Sequence, residues 1–378
     1  MIIGLYSCGQ QTAEKSQTSE PHTAPIEFWL GTYTSSPEQG IHLISYQPDT
    51  NEFDSLLLKG EVKNPSFVIS NKAGDLVFSV QEEGGEHGGS VCSFRFDREK
   101  MQLEKLSISS TQGSGPCYIT LDPSEQFVIA GNYGSGDLAV IPIHGDGTLG
   151  AAVQDIAHEG SSVNEARQQS PHVHSLVFHP NGQKLFVADL GTDKVNIYDF
   201  DPNREKPLQV SSPAFFQVEP GSGPRHLVFN KTGDKIYLIH EMTSEVGLYD
   251  YDLENNKTTH VETYDLVPKS FEGDLGAAEI KISADEKFLY ASNRGDANEI
   301  NGFSIEEGTG LLHKIQTISS GGKTPRNFAL SPDGKFLFAA NQNSNNLIAY
   351  ERNPKTGIIK QLNGEFTVHK PVYFYMLK

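Results

Sequence analysis

Three of the chain's eight arginines, Arg225, Arg294 and Arg326, fall in short segments that also hold His174, His226, Glu241 and Glu279. An arginine fork pairs with carboxylate or phosphate and stays charged, and a histidine titrates near neutral pH. Such a set can grip an anion and move a proton beside it. His172, two residues before His174 in Pro171-His-Val-His-Ser175, and Tyr133 join the set by position. Glu241 follows Arg225 by sixteen residues, and the same interval separates His174 from Leu190, Ala278 from Arg294 and Arg326 from Gln342.

The interval belongs to a repeat. Six segments begin at Ser66, Cys117, His174, Arg225, Ala278 and Arg326, and each reads as an apolar strand, a Pro/Asp/Gly-type turn and a second apolar strand. Their turn positions, 74, 125, 182, 233, 286 and 334, advance in steps of 51, 57, 51, 53 and 48. Propeller repeats of about 40–50 residues carry four strands per unit. A seventh unit is split between the ends. Trp29–Tyr33 and Gly40–Tyr46 supply its second and third strands, and Lys370–Leu377 supplies the first, with Pro371 where Pro65, Pro116, Pro224 and Pro325 precede the others. Pairing the two ends in one sheet removes the free edges of an open ring. The expected fold is an all-β, seven-bladed β-propeller of four-stranded antiparallel blades, closed by the C-terminal strand and occupying residues 26–378 as one domain.

A hairpin brings the start of its first strand level with the end of its second. Since first strands line a propeller's central channel, two sets of residues should ring one mouth of it. One set is the six starts above. The other is Glu82, Tyr133, Leu190, Glu241, Arg294 and Gln342, with Tyr33 in the split blade. The longest step precedes the blade that opens at His174, and its extra residues, roughly 158–170, are polar enough to form a lid over the mouth. Other readings stay open at single positions. Arg225 and Glu241 fit a structural ion pair as well as a reactive one; His226 fits a hydrogen-bonded core histidine and His172 a loop residue; a polar ring also suits a channel used only for binding.

Composition narrows the classes. With a net charge of −18 and no long run of Lys or Arg, neither a nucleic acid nor an anionic membrane surface is an expected partner. Hydrophobic residues at 37 %, 36 glycines and 20 prolines suit many short strands joined by turns, and almost no helix is expected. Cys8, Cys92 and Cys117 are too few for a disulfide framework. No Cys/His spacing suggests zinc, and no cofactor is called for. A small anionic molecule is the expected partner, and the chain is expected as a monomer or weak oligomer.

Residues 1–25 lie outside the repeat and have the composition of a disordered tether. Within them Leu5-Tyr-Ser-Cys8 resembles the box at which bacterial lipoprotein signals are cut, although the apolar stretch before it is short for a signal and lacks a basic start. An envelope location through Cys8 is favoured slightly over a cytoplasmic one. No segment is long enough to span a membrane as a helix.

Gly221-Ser-Gly-Pro-Arg-His-Leu-Val-Phe229, Ile239-His-Glu-Met-Thr-Ser-Glu-Val246, Leu289-Tyr-Ala-Ser-Asn-Arg-Gly295, Pro171-His-Val-His-Ser175 and Thr324-Pro-Arg-Asn-Phe328 together resemble the lactonase family of seven-bladed propellers. That family includes a bacterial 6-phosphogluconolactonase of the pentose phosphate route and the fungal carboxy-cis,cis-muconate lactonizing enzyme. The resemblance runs from about Leu30 to the end. It implies hydrolysis of a sugar lactone, with His174, Arg225, Glu241 and Arg294 as catalytic residues and Arg326, His226, His172, Glu279 and Tyr133 as substrate contacts. Tyr118, where family members often carry His, and the missing serine after Arg294 bear on substrate identity. Two alternatives remain: a muconate-type cycloisomerase that closes a lactone, and a propeller that binds a ligand or protein without chemistry.

Overall fold

A computed structural model of the chain describes residues 24–36, 40–58, 62–85 and 88–377. Cys8 and the lipoprotein-like box lie outside the described residues. Among those residues there is no helix, only strands and turns. The strands form seven antiparallel sheets, each numbered here as a blade in chain order. In blade 1, Pro371–Met376 is innermost and pairs with Ile26–Thr32, followed outward by Ile41–Gln47 and Glu52–Leu58. The split blade therefore exists as the sequence required. Blades 2 to 7 have innermost strands Val68–Ser70, Pro116–Leu121, Val173–Phe178, Pro224–Phe229, Ala277–Ile282 and Pro325–Leu330. In blade 7 the outermost strand is broken, and Ile359–Gln361 and Phe366–Thr367 both pair with Asn346–Arg352.

The apolar alternation along these strands has a specific outlet. Buried side chains gather into seven clusters, each shared by two neighbouring blades rather than lying inside one. Between blades 4 and 5, for example, Phe186, Ala188 and Val195 meet Leu227, Leu238 and Tyr251. A single sheet has two apolar faces and cannot bury either alone, so each blade is stable only against both neighbours. The channel wall is held rigidly as a consequence.

Six of the seven innermost strands, all but that of blade 2, share one irregularity. In blades 3, 4, 5 and 7 the ladder slips by one residue between Pro116 and Tyr118, Val173 and Ser175, Pro224 and His226, and Pro325 and Asn327. Blade 6 slips between Ala277 and Ile280, and blade 1 where Pro371 and Tyr373 pair with Thr32 and Gly31. Each is a β-bulge, in which one extra residue escapes the ladder and the strand bends. The extra residues are Cys117, His174, Arg225, Arg326 and Val372, with Ala278 and Glu279 sharing the bulge in blade 6. Proline is tolerated at the start of such a strand because no ladder donor is needed there. Just before it the chain turns through positive φ, at Gly115 (φ 63°) and Gly223 (φ 65°), a conformation that glycine adopts without penalty.

Candidate active site

Five of the six strand starts expected at the mouth, all but Ser66, are bulged residues, Val372 is bulged in the split blade, and the second set lies one residue past the ends of the facing strands. Sequence register and structure agree on this rim. At its centre is Glu241, fixed by its backbone N–H to Gly223 O (2.8 Å) and by its own carbonyl, which accepts from Ala277 N–H of the next blade (3.1 Å). Its carboxylate meets three guanidiniums. Oε2 accepts from Arg225 Nε at 2.9 Å and pairs with Arg294 Nη2 at 2.8 Å, while Oε1 accepts from Arg167 Nη2 at 2.8 Å. Arg225 and Arg294 are braced in turn by backbone: Arg225 Nη1 donates to Ala278 O (2.6 Å), and Arg294 Nε donates to Gly276 O (2.9 Å).

Burial pushes the Glu241 carboxyl up, but Arg294, Arg225 and the Arg167 hydrogen bond outweigh it and hold the group well below the usual carboxylate range. Burial and the neighbouring Arg294 push Arg225 down to about 10, still a cation at neutral pH. The cluster is thus ionic, and Glu241 is a weak base in this arrangement.

His174 is the opposite case. It is buried, its ring meets His226 edge-on with centroids 5.2 Å apart, and its Nδ1 has no hydrogen-bond partner. Burial, then Arg225 and His226, drive its pKa well below 6.5, so it is a neutral imidazole with an unbonded ring nitrogen. His226 is held by Glu279 (Nδ1 to Oε1, 3.2 Å) and is pushed down to about 4, chiefly by burial. Glu279 also takes Asn327 Nδ2 and Lys281 Nζ, and Tyr118 stands edge-on to the His226 ring at 5.5 Å. These contacts fit the reading of His226 as a core histidine, one layer below the mouth. His172 stacks on Tyr133 (4.5 Å) and binds the Tyr133 carbonyl through Nδ1 at 2.7 Å, so it props the rim.

Arg326 comes from blade 7. Its guanidinium lies over the Tyr33 ring at 5.6 Å and makes no hydrogen bond or ion pair among the described residues. Beside it, Glu82 accepts from Tyr33 Oη (2.9 Å) and from Ser66 Oγ. Burial raises the Glu82 pKa against the pull of Arg326. Sequence register had placed Glu82, Tyr33 and Ser66 on the rim without giving them a part.

Arg167 was missed altogether. It sits in the insertion between blades 3 and 4, outside the repeat register, and the only signal for it was a polar insertion of the right length at the right blade. That insertion does reach over the mouth: Arg167 Nη2 also donates to Tyr133 Oη at 3.1 Å.

His174, Arg225, His226 and Arg326 line a narrow cavity of about 10 Å³, which has room for about one water. Phe67 and Tyr373, stacked with centroids 3.6 Å apart, form its floor, and the same two rings line the separate recess at the opposite mouth. Among the described residues no three His, Cys, Asp or Glu side chains gather as a metal cage.

A family model described as "Lactonase, 7-bladed beta-propeller" matches residues 27–376. The chain belongs to this lactonase family. A Formosa agariphila protein named 6-phosphogluconolactonase is 31 % identical over 344 residues, covering 90 % of this chain and 97 % of its own. A Bacillus subtilis protein of the same name is 29 % identical over 344 residues, with 91 % and 96 % covered. Among solved structures, the periplasmic gluconolactonase of Pseudomonas aeruginosa superposes with a TM-score of 0.89 at 35 % identity, covering 94 % of this chain and 99 % of its own. Within this lactonase, His174, Arg225, Glu241 and Arg294, the four residues that the resemblance matched to the family's catalytic set, all contribute to the mouth just described.

Proposed function

We propose that the protein hydrolyses an anionic sugar lactone of the 6-phosphogluconolactone class at the mouth lined by blades 4 to 7. One observation carries the reading. His174, a neutral base with an unbonded nitrogen, and Arg326, a cation that makes no hydrogen bond or ion pair among the described residues, line the same cavity. Both have unused capacity that a substrate would fill. The names of the relatives support the reaction class.

In the proposed reaction water attacks the lactone carbonyl carbon, giving up a proton to His174 Nδ1 as the new C–O bond forms. The carbonyl oxygen becomes anionic beside Arg225 and Arg294, whose charges are already fixed in place. The ring C–O bond then breaks, and the leaving alkoxide takes the proton back from His174. Glu241 orients both arginines and offsets the charge of the imidazolium. The carboxylic acid so formed loses its proton to solvent, and Arg326 contacts the resulting carboxylate. The substrate's negative charge partly cancels the arginines that depress His174, so binding itself makes the histidine a better base. His226, His172, Glu279 and Tyr133 shape and support the pocket. We place residues 1–25 outside this machinery, as a tether bearing Cys8.

The test is acid release at constant pH from 6-phosphoglucono-δ-lactone by the purified full-length protein. A rate well above spontaneous opening is expected. A rate equal to background overturns the assignment, and lactone formation from a carboxymuconate would replace it with the cycloisomerase.

A further inference from the structure

Of the three guanidiniums on Glu241, two belong to the channel wall and one does not. Arg225 and Arg294 are tied to backbone carbonyls, and their side chains are only 2 % and 14 % exposed. The Arg167 side chain is 45 % exposed, and both of its hydrogen bonds leave from the single nitrogen Nη2. Its Nε–H and the two hydrogens on Nη1 have no acceptor among the described residues.

The segment that carries Arg167 is nevertheless firmly placed. Asp189, fully buried, binds both of its ends, accepting from the His158 ring (2.9 Å) and from the His172 N–H (2.8 Å), and accepts from the Gly191 N–H as well (3.0 Å). Gly191 is required there, since a Cβ would fall 1.9 Å from Ser170 O. Next to Arg167, Gln168 is buried and donates to Leu190 O at 2.9 Å. The scaffold is rigid, and one half-free charged arm extends from it over the pocket.

We propose that Arg167 is the specificity-determining residue, recognising the anionic group of the substrate at the end remote from the reacting carbonyl and changing partners from Glu241 to that group as the substrate binds. The proposal rests on the lactonase reading. The cavity, with room for about one water, cannot take a phosphate, so the substrate's distal end must lie outward, where Arg167 is. Three unused N–H donors in a planar fork fit phosphate or carboxylate oxygens. The exchange costs no buried charge, because Glu241 keeps Arg225 and Arg294. It leaves Oε1 open to accept from the attacking water or a sugar hydroxyl.

The experiment compares wild type with R167Q and R167K, all as full-length protein. Turnover of 6-phosphoglucono-δ-lactone and of neutral glucono-δ-lactone is measured across pH, with calorimetric binding of 6-phosphogluconate. Losing a hydrogen bond to a charged group should raise KM for the phosphorylated lactone and Kd for 6-phosphogluconate about 10–100-fold. The loss for the neutral lactone should be several-fold smaller, and R167K should recover part of the binding. Glu241 is faced by Arg225 from blade 5, Arg294 from blade 6, His174 from blade 4 and Arg167 from the insertion, with Arg326 and Cys117 further off. Removing one of these cations should move the acid limb of kcat/KM to higher pH. Equal losses on both lactones, or 6-phosphogluconate binding that is equal in wild type and R167Q or absent from both, overturns the proposal. If wild type opens neither lactone, the lactonase reading fails, and the 6-phosphogluconate Kd alone decides the part of Arg167.

Discussion

In blade 5 the extra residue of the inner bulge is Arg225 and the residue past the second strand is Glu241; in blade 3 the same two backbone positions hold Cys117 and Tyr133. The next position along the inner strand is His226 in one blade and Tyr118 in the other. The ladders match residue for residue, yet blade 5 presents a buried ion pair while blade 3 presents a thiol that burial, followed by Glu82, pushes up to about 12. A thiol so shifted is protonated and inert at neutral pH. The backbone fixes where a side chain meets the channel. Which chemistry appears there is decided by a few substitutions that the fold tolerates, so family membership alone does not reveal which arc of the rim is reactive.

The largest test of this contrast is His174→Ala. The loss of a general base should lower turnover of the phosphorylated lactone by about 10²–10⁴-fold. The melting temperature should fall only by the packing lost against Tyr133 and His226, since Nδ1 has no hydrogen bond to lose. If Cys117→Ala or Tyr133→Phe cost as much activity, the reactive arc would not be confined to blades 4 to 7. Arg225→Ala should act on stability as well as on turnover, by up to about 3–5 kcal/mol in chemical denaturation, because it takes one of three guanidiniums from a buried carboxylate; an unchanged midpoint would mean that Arg294 and Arg167 suffice to hold Glu241.

A smaller contrast is that between His226 and Tyr118. With a folded pKa of about 4 against about 6.5 unfolded, His226 takes up a proton on unfolding between those values. Stability should therefore fall as pH drops from 6.5 towards 4, by up to about 1.4 kcal/mol per unit from this residue. H226Q should flatten the pH dependence of the melting temperature in that window, and an unaltered slope would assign it to other groups. The smallest effect is expected from Cys117→Ser, which should leave kcat/KM unchanged and cost about 1 kcal/mol or less.

The repeat made the fold legible because each blade repeats the same strand–turn–strand text, and the missing first strand in blade 1 had a visible counterpart at the other end. His174, Arg225, Glu241, Arg294 and Arg326 were legible for the same reason, since the shared register brought them to one rim: His174, Arg225 and Arg326 at strand starts that hold Ser66, Cys117 and Ala278 elsewhere, Glu241 and Arg294 at the facing strand ends. The bulge was not legible. It is a slip between two strands, and the spacing along either strand alone does not contain it. Arg167 escaped because it lies in an insertion with no repeat partner to compare against. Glu82 escaped because a lone carboxylate at a strand end looks like ordinary surface until Tyr33, Ser66 and Arg326 are seen around it.

The stacked pair of Phe67 and Tyr373 would give the proposed catalytic chamber a single doorway. A ring-opened product carries one more negative charge than its lactone and must depart past Arg167 through the opening by which the next substrate arrives. Egress rather than bond breaking can then govern the cycle. The kinetic signature would be strong competitive inhibition by product, easing with added salt as the arginines at the threshold are screened.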